Sequence, residues 1–204
     1  MPQTTHAKTL KLAQLAMLIA IEAIMTFLPI GFIMIPPVSI TLLHIPVIIG
    51  AILMGPLYGG ILGGSFGLFS LTKASFAATS PVDMMFSPFL SGAPIQSIVM
   101  CIIPRILLGV IAAYLFILFR KLTKNEVVSI LIAALVATAC HTVMVLGCLW
   151  LLFNSIALES GVTLAAVFGT VITLNGILEM LAAGVLATAV CKPLWAFQKK
   201  RRLA

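Results

Sequence analysis

Three polar residues stand at similar depths inside long apolar runs, where polar groups are costly unless they meet a partner or a ligand. Arg105 follows Pro104 near the middle of one run, and a central arginine costs about 2.5–3.5 kcal/mol on insertion-based scales. His141 and Asn175 occupy the middles of the next two runs, so all three lie roughly 15–18 Å from the same end at about 1.5 Å per residue. Glu179 follows Asn175 by one helical turn and can share its face. The spacing predicts that these side chains meet at one level.

The chemistry that this set offers is the binding of an anionic small molecule. Arg105 can grip a carboxylate through charge-assisted hydrogen bonds, while Asn175 and Lys73 supply donors to hydroxyl or amide oxygens. Glu179 can instead serve as the counter-ion of Arg105 in a buried pair without a ligand. His141 alone also fits a hydrogen-bonded core histidine, and Lys73 also fits a side chain that snorkels to the membrane edge.

Patterns typical of enzymes and metal sites are missing from the sequence. The four cysteines lie inside apolar runs without a CxxC pair or zinc-type spacing, so we expect free thiols and no metal. There is no HExxH, no nucleophile beside a base and no GxxxxGK[ST] loop, so we expect no catalytic residue, no cofactor and no ATP site. Two other classes stay open: an intramembrane enzyme that uses His141 and Glu179 as an acid/base pair, and a scaffold without a ligand.

The composition indicates an integral membrane protein. Apolar residues make up 62% of the 204 residues and charged residues only 8%, with a mean hydropathy of +1.24. The net charge is +7, but the basic residues gather at segment ends instead of forming a face interleaved with aromatics, so nucleic acid is not an expected partner. No small-residue cleavage pattern follows the first apolar run, which we expect to stay as a helix.

The apolar runs predict an all-α bundle of six transmembrane helices. Their predicted ranges are 10–28, 38–54, 57–76, 94–119, 127–153 and 164–190, followed by a basic tail at 191–204. With six helices, ten of the twelve basic residues fall on one side, which the positive-inside rule makes cytoplasmic together with both termini. Five helices would push the basic tail to the other side. Connections at 29–43 and 77–93, the first overlapping the start of the second helix, would then cover the outer mouth of the site.

Two stretches of small residues predict close contacts between helices. The apolar stretch 35–70 is rich in proline and glycine, and Gly55-Pro56 divides it into the two arms of a helical hairpin. Its glycines leave bare backbone that a neighbouring helix can approach; they are Gly50, Gly55, Gly59, Gly60, Gly63, Gly64 and Gly67. In the first helix, the pair Ala16-xxx-Ala20 makes a similar contact face, for a helix of this chain or of a partner.

Together these residues resemble a known family along essentially the whole chain. The resemblance is carried by Ala16-xxx-Ala20, the hairpin ITLLHIPVIIGAILMGPLYGGILGG, the loop SPFLSG and the Pro104-Arg105 step. The chain is similar to the S components of energy-coupling factor (ECF) vitamin transporters. This resemblance implies a six-helix membrane protein of the bacterial plasma membrane that captures a vitamin and docks on a shared transmembrane subunit driven by two ATPase subunits.

The resemblance also implies roles for particular parts of the chain. Ala16 and Ala20 would meet the shared subunit, and the first, third and fifth loops would form the vitamin site with the outer halves of helices four to six. Many relatives have acidic residues at the positions of Thr41 and His44, so their ligand contacts cannot be transferred. The segment IPPVSITLLHIPVIIGAI most resembles the corresponding segment of family members associated with pantothenate. Carriers of hydroxymethylpyrimidine and pyridoxine are alternatives, and both vitamins are neutral and would not need Arg105 as an anion clamp.

Overall fold

The computed structural model describes residues 5–28, 31–35, 38–159, 164–170, 172 and 175–203. Its elements are α1 (Thr5–Phe27), β1 (Phe32–Ile35), β2 (Val38–Thr41), α2 (His44–Met54), α3 (Pro56–Phe76), α4 (Pro81–Met85), α5 (Pro94–Thr123), α6 (Glu126–Glu159), α7 (Leu164–Thr170) and α8 (Gly176–Leu203). Within the described chain, four segments are long and apolar enough to cross a bilayer: Thr9–Phe27, Pro94–Thr123, Glu126–Ser155 and Gly176–Ala196. The fold is therefore a mainly helical membrane bundle.

The start of the second predicted helix is wrong. Residues 38–41 form β2, which pairs antiparallel with β1 from Phe32↔Thr41 to Ile35↔Val38, and α2 begins only at His44. The two strands are rich in β-branched and aromatic residues, which fit a pleated surface, and the prolines between them in sequence cannot continue a helix. An all-α fold thus misses one small hairpin, because a short apolar run does not distinguish helix from strand.

The sixth predicted helix, 164–190, corresponds to two described helices, and residues 171, 173 and 174 between them lie outside the described residues. Helix α7 ends at Thr170 and α8 begins at Gly176, with Asn175 in a widened turn just before α8. Helix α8 then continues to Leu203, so the predicted tail is helical over 191–203. Helices α5 and α6 also extend past their predicted ends at 119 and 153. Residues 160–163, part of the predicted loop before the sixth helix, lie outside the described residues.

Helix α2 is the centre of the bundle. Every residue of this 11-residue helix except Leu53 is buried, because it is apolar on all sides and is surrounded by neighbouring helices. The hairpin to α3 turns at Gly55, whose φ of 97° suits glycine, and Pro56 opens α3 with the φ that a first helical turn needs. The predicted division of the hairpin at Gly55-Pro56 is confirmed.

A ladder of glycines in α3 brings this helix against the backbone of α5. Gly59, Gly63 and Gly67 repeat every four residues and therefore share one face. A Cβ atom added at these positions would collide with backbone carbonyl groups of α5, namely those of Gly109, Arg105 and Cys101. The close approach that the glycines predict is confirmed, and it fixes the backbone of Arg105 against α3.

Candidate functional site

One end of the bundle contains a cavity that all five predicted site residues line. Lys73 comes from α3, Arg105 from α5, His141 from α6, and Asn175 and Glu179 from the start of α8. The cavity measures about 130 Å³, and since one water needs about 10–15 Å³ it has room for on the order of ten water-sized groups. We call it the Arg105 cavity. Its size suits a small metabolite.

The backbone next to Arg105 explains how its guanidinium is held. Pro104 has no N–H to give to the carbonyl four residues earlier, which belongs to Met100. The Nη1 group of Arg105 donates to that carbonyl oxygen instead, at 2.6 Å. Pro104 therefore leaves the Met100 carbonyl without its helical donor, and the adjacent Arg105 side chain supplies a donor instead. Arg105 is only 6% exposed.

Two aromatic rings fix the guanidinium further. Its carbon lies 5.3 Å from the ring centre of Phe66 in α3 and 5.3 Å from that of Phe86, which follows α4. Within the described chain its buried Nε has no hydrogen-bond partner. Arg105 is thus held in place by its own chain while one of its donors has no partner among the described residues, the arrangement expected of a preorganised anion site.

Further unpaired polar atoms surround the same cavity. Ser70 Oγ, His141 Nε2 and both amide atoms of Asn175 are buried and have no hydrogen-bond partner in the described part of the chain. Leaving a buried polar group unsatisfied costs about 1–3 kcal/mol, so several such groups around one space indicate a bound molecule or ordered water. The cavity thus offers donors and acceptors beside its fixed cation.

Glu179 contacts the β-hairpin and not Arg105. In the antiparallel ladder Leu42 donates to Gly31, so the next pair, Phe32 and Thr41, is a non-hydrogen-bonded one and the Thr41 N–H points away from β1. Glu179 Oε1 accepts that N–H at 2.6 Å. Among the described residues Glu179 forms no ion pair with Arg105 within 4.0 Å. The alternative of a ligand-free ion pair between them is therefore wrong in this structure.

The connection 77–93 covers part of the cavity and is held by serine side chains. Its Val82, Asp83 and Phe86 line the cavity. Ser97 of α5 donates to the carbonyl of Met85 at 2.7 Å. Two hydrogen bonds between serine hydroxyls also hold the segment: one joins Ser75 and Ser87 at 3.1 Å, and the other joins Ser97 and Ser91 at 2.7 Å. These bonds place the Phe86 ring on Arg105.

The predicted docking pair lies on the outside of the bundle. Ala16 and Ala20 are both exposed on α1, so in the described residues they do not mediate packing within this chain. The inward face of the same helix carries Glu22, which is fully buried and whose Oε2 accepts from Ser65 of α3 at 2.5 Å. Helix α1 therefore presents its small residues outward.

Several lining residues were not among the predicted site residues. Ser70 precedes Lys73 by three residues, so helical spacing from Lys73 would have found it. Phe66 and Phe86 stand among other apolar residues, and such aromatics look the same whether they fill a core or stack on a guanidinium. Thr41 was marked only through the family resemblance, as a position where many relatives have an acidic residue.

Comparison with known proteins identifies the family. A family model described as ECF transporter, substrate-specific component matches residues 10–191. The pantothenic acid transporter PanT of Lactococcus lactis subsp. cremoris is 36% identical over 160 residues, 76% of this chain and 76% of that protein. The crystal structure of the S-component for biotin from an ECF-type ABC transporter shares the fold, with a TM-score of 0.56, 19% identity and 93% coverage of both chains. The chain belongs to the S components of ECF transporters, membrane subunits that bind a substrate for import and are not enzymes.

Proposed function

We propose that this S component binds pantothenate in the Arg105 cavity. The observation that carries the proposal is a buried guanidinium, held by Met100 and two rings, whose Nε has no partner in the described chain, set among hydroxyl, imidazole and amide groups that also have none there. A relative that is 36% identical is a pantothenic acid transporter, which supports the same vitamin. A carboxylate on a fixed arginine forms charge-assisted bonds that are roughly twice as strong as neutral ones.

The functional groups of pantothenate match the cavity. Its carboxylate would pair with Arg105, and Lys73 would add a second positive charge on the same anion. Its amide and two hydroxyl groups would satisfy Asn175, Ser70 and His141, which otherwise keep buried polar atoms unpaired. Each polar group of pantothenate would therefore pair with a buried polar atom that has no partner in the described chain, which removes the free-energy cost of leaving that atom unsatisfied.

Glu179 would act as a positioning residue. Its carboxylate holds β2 through the Thr41 N–H, and Thr41 and Glu179 both line the cavity. With its charge directed to the backbone of the hairpin, Glu179 would keep the hairpin over the ligand without competing for the guanidinium.

The proposed topology has six spans, formed by α1, α2, α3, α5, α6 and α7–α8, with both termini in the cytoplasm. The Arg105 cavity then opens to the outside. Support comes from the basic residues, which concentrate at the opposite end of the bundle. Single cysteines at Lys124 and at Phe89 would test this: in intact cells, a membrane-impermeant maleimide should label Phe89→Cys and not Lys124→Cys. The reverse labelling would overturn the orientation.

The transport partners would be a shared transmembrane subunit and two ATPase subunits, with the exposed Ala16 and Ala20 on the surface that docks. The chain would need no cofactor of its own, since ATP is consumed by the partners. Ala16→Trp should leave vitamin binding intact and stop uptake, because a large ring prevents close helix contact. Val185→Trp, a bulky change on an exposed position of α8, is the matched control. Unimpaired uptake in Ala16→Trp would overturn the docking surface.

Calorimetry on the purified protein tests the ligand. The panel consists of pantothenate, its neutral alcohol analogue pantothenol, hydroxymethylpyrimidine, pyridoxine and niacin. We expect wild type to prefer pantothenate over pantothenol by roughly 30-fold or more, since breaking a buried charge pair costs about 2–5 kcal/mol. Arg105→Ala should remove that preference. Preference of the wild type for a neutral pyrimidine or pyridine would overturn the carboxylate clamp and leave Arg105 with its aromatic contacts alone.

A further inference from the structure

A second cavity lies at the opposite end of the bundle, near the Gly55 turn. The ends of α1, α2, α5 and α8 form it, and it measures about 540 Å³. Its polar lining is cationic: Lys11 of α1 and the pair Arg120 and Lys121 of α5 contribute side chains, and no acidic residue of the described chain lines it. We call it the Arg120 cavity.

Aromatic rings hold two of these cations beside the cavity. The Arg120 guanidinium lies 4.8 Å from the ring centre of Trp195 in α8, and the Lys11 ammonium lies 5.4 Å from that of Tyr58 in α3. Trp195 is itself packed edge-on against Phe116 at 5.4 Å. The cations are therefore directed by rings that belong to the packed bundle.

The remaining wall is apolar and reaches the membrane-facing surface. Phe116 and Ile117 of α5 and Ile52 and Leu53 of α2 line it, and Ile117 is also exposed on the outside of the helix. A ligand that fits must therefore combine an anionic group with hydrocarbon.

The negative charge near the Arg120 cavity does not neutralise the three positive charges that line it. A helix C-terminus carries about half a negative charge, and Glu126, 3.7 Å from Arg120, offsets one more. Lys11, Arg120 and Lys121 together exceed both, so the cavity keeps a net positive charge. In a membrane, the abundant molecule with an anion joined to hydrocarbon is an acidic phospholipid.

We propose that the Arg120 cavity binds the phosphate headgroup of an anionic phospholipid, with the adjoining acyl chain against Phe116 and Ile117. The phosphate lies between Arg120, Lys121 and Lys11. This site is separate from the Arg105 cavity, and its occupancy does not depend on which vitamin the protein carries.

Native mass spectrometry of the full chain released from nanodiscs tests the proposal. Nanodiscs of phosphatidylcholine with a minor share of phosphatidylglycerol should yield protein with one retained phosphatidylglycerol. The double variant Arg120→Gln/Lys121→Gln should weaken retention roughly tenfold to thirtyfold, as about 1 kcal/mol per basic side chain implies. The matched control Lys124→Gln/Lys192→Gln removes the same charge at the same end from positions that do not line the cavity, and it should stay within about twofold of wild type.

Each other outcome overturns the proposal. Equal losses in the two double variants would mean diffuse attraction to the membrane and no site. No preference for phosphatidylglycerol over phosphatidylcholine in wild type would exclude a headgroup site. Thermal stabilisation by glycerol 3-phosphate equal to that by phosphatidylglycerol would indicate a free phosphate site, and stabilisation only by an acidic partner subunit would indicate a protein interface. Thermal unfolding and size-exclusion profiles of the variants report whether they are folded.

Discussion

The Arg105 cavity and the Arg120 cavity both place an arginine on aromatic rings, but they hold it in different surroundings. Arg105 is 6% exposed, lies between two rings and donates to a backbone carbonyl. The Arg120 side chain is 46% exposed, lies on one ring and approaches Glu126 at 3.7 Å. A buried, oriented charge acts in a low-dielectric setting, whereas an exposed pair contributes about 0–1 kcal/mol. The same residue type is therefore proposed to bind a vitamin carboxylate at one end and a phospholipid headgroup at the other, and binding at the exposed end should depend more on salt.

The supports behind the two arginines differ as well. The backbone of Arg105 packs directly against Gly63. Its side chain donates to the Met100 carbonyl, which is free to accept because Pro104 has no N–H. The backbone of Arg120 lies in the last turns of α5, near the left-handed Lys124 that ends the helix. Changes to the backbone contact behind Arg105 should therefore alter affinity and stability together, whereas changes near Arg120 should alter little beyond charge.

The largest effect is expected from the glycine ladder. Gly63→Ala would drive a Cβ into the Arg105 carbonyl and separate α3 from α5, and overpacking of this kind costs about 1–3 kcal/mol or more. Gly64→Ala is the matched control, since its Cβ would meet only Ile106 at an ordinary 3.8 Å. We expect a lower melting temperature and loss of vitamin binding for Gly63→Ala alone. Equal behaviour of the two variants would show that the ladder does not position Arg105.

The next effect separates affinity from stability. Asn175 is 2% exposed, and neither of its amide atoms has a partner among the described residues, so Asn175→Leu should leave the melting temperature without vitamin unchanged or raise it. Vitamin affinity should fall about tenfold to a hundredfold, as expected when a ligand group loses a buried partner. Calorimetry and thermal unfolding of the same samples test this. Lower stability with unchanged vitamin affinity would show that Asn175 supports the fold and does not contact the vitamin. The Arg105 cavity, like the Arg120 cavity, would then bind its ligand without an amide side chain.

The predicted meeting of Arg105, His141 and Asn175 depended on counting residues along helices, and the structure places all three around one cavity. Such counting works because the rise per residue in a helix is constant. Their role in binding stays a prediction. The contact between α3 and a neighbouring helix could also be predicted from the sequence, because glycines at four-residue spacing on a membrane helix mostly serve close helix packing.

Other parts of the site required the three-dimensional arrangement. Thr41 and Glu179 are 138 residues apart, and their bond depends on the register of a hairpin that the apolar pattern presented as helix. No proline marks the start of α8 at Gly176, which places Asn175 and Glu179 at a helix start. The bond from Arg105 to Met100 follows a local backbone rule, but the two aromatic rings beside the guanidinium come from distant parts of the chain.

A smaller effect is expected at the hairpin. Glu179→Ala removes the acceptor of the Thr41 N–H, and a hydrogen bond to a charged group is worth about 1.5–3 kcal/mol, so we expect vitamin dissociation to accelerate about tenfold. Glu179→Gln keeps an acceptor oxygen and should stay within about threefold of wild type. Stopped-flow measurement of dissociation distinguishes the two. If both variants weaken binding equally, the charge of Glu179 matters to the ligand, and Glu179 is not a positioning residue.

The smallest effect should arise at the far end of the bundle. Arg120→Ala removes an exposed cation that shares no partner with the residues of the Arg105 cavity, and changes at sites without shared partners usually add independently. Vitamin affinity should therefore stay within about twofold of wild type at both 50 mM and 500 mM salt, concentrations at which the screening length changes roughly threefold. A larger change would show that the two cavities are coupled. Helices α5 and α8 contribute residues to both cavities, so coupling would travel along these two helices and would make the lipid leaflet a regulator of vitamin capture.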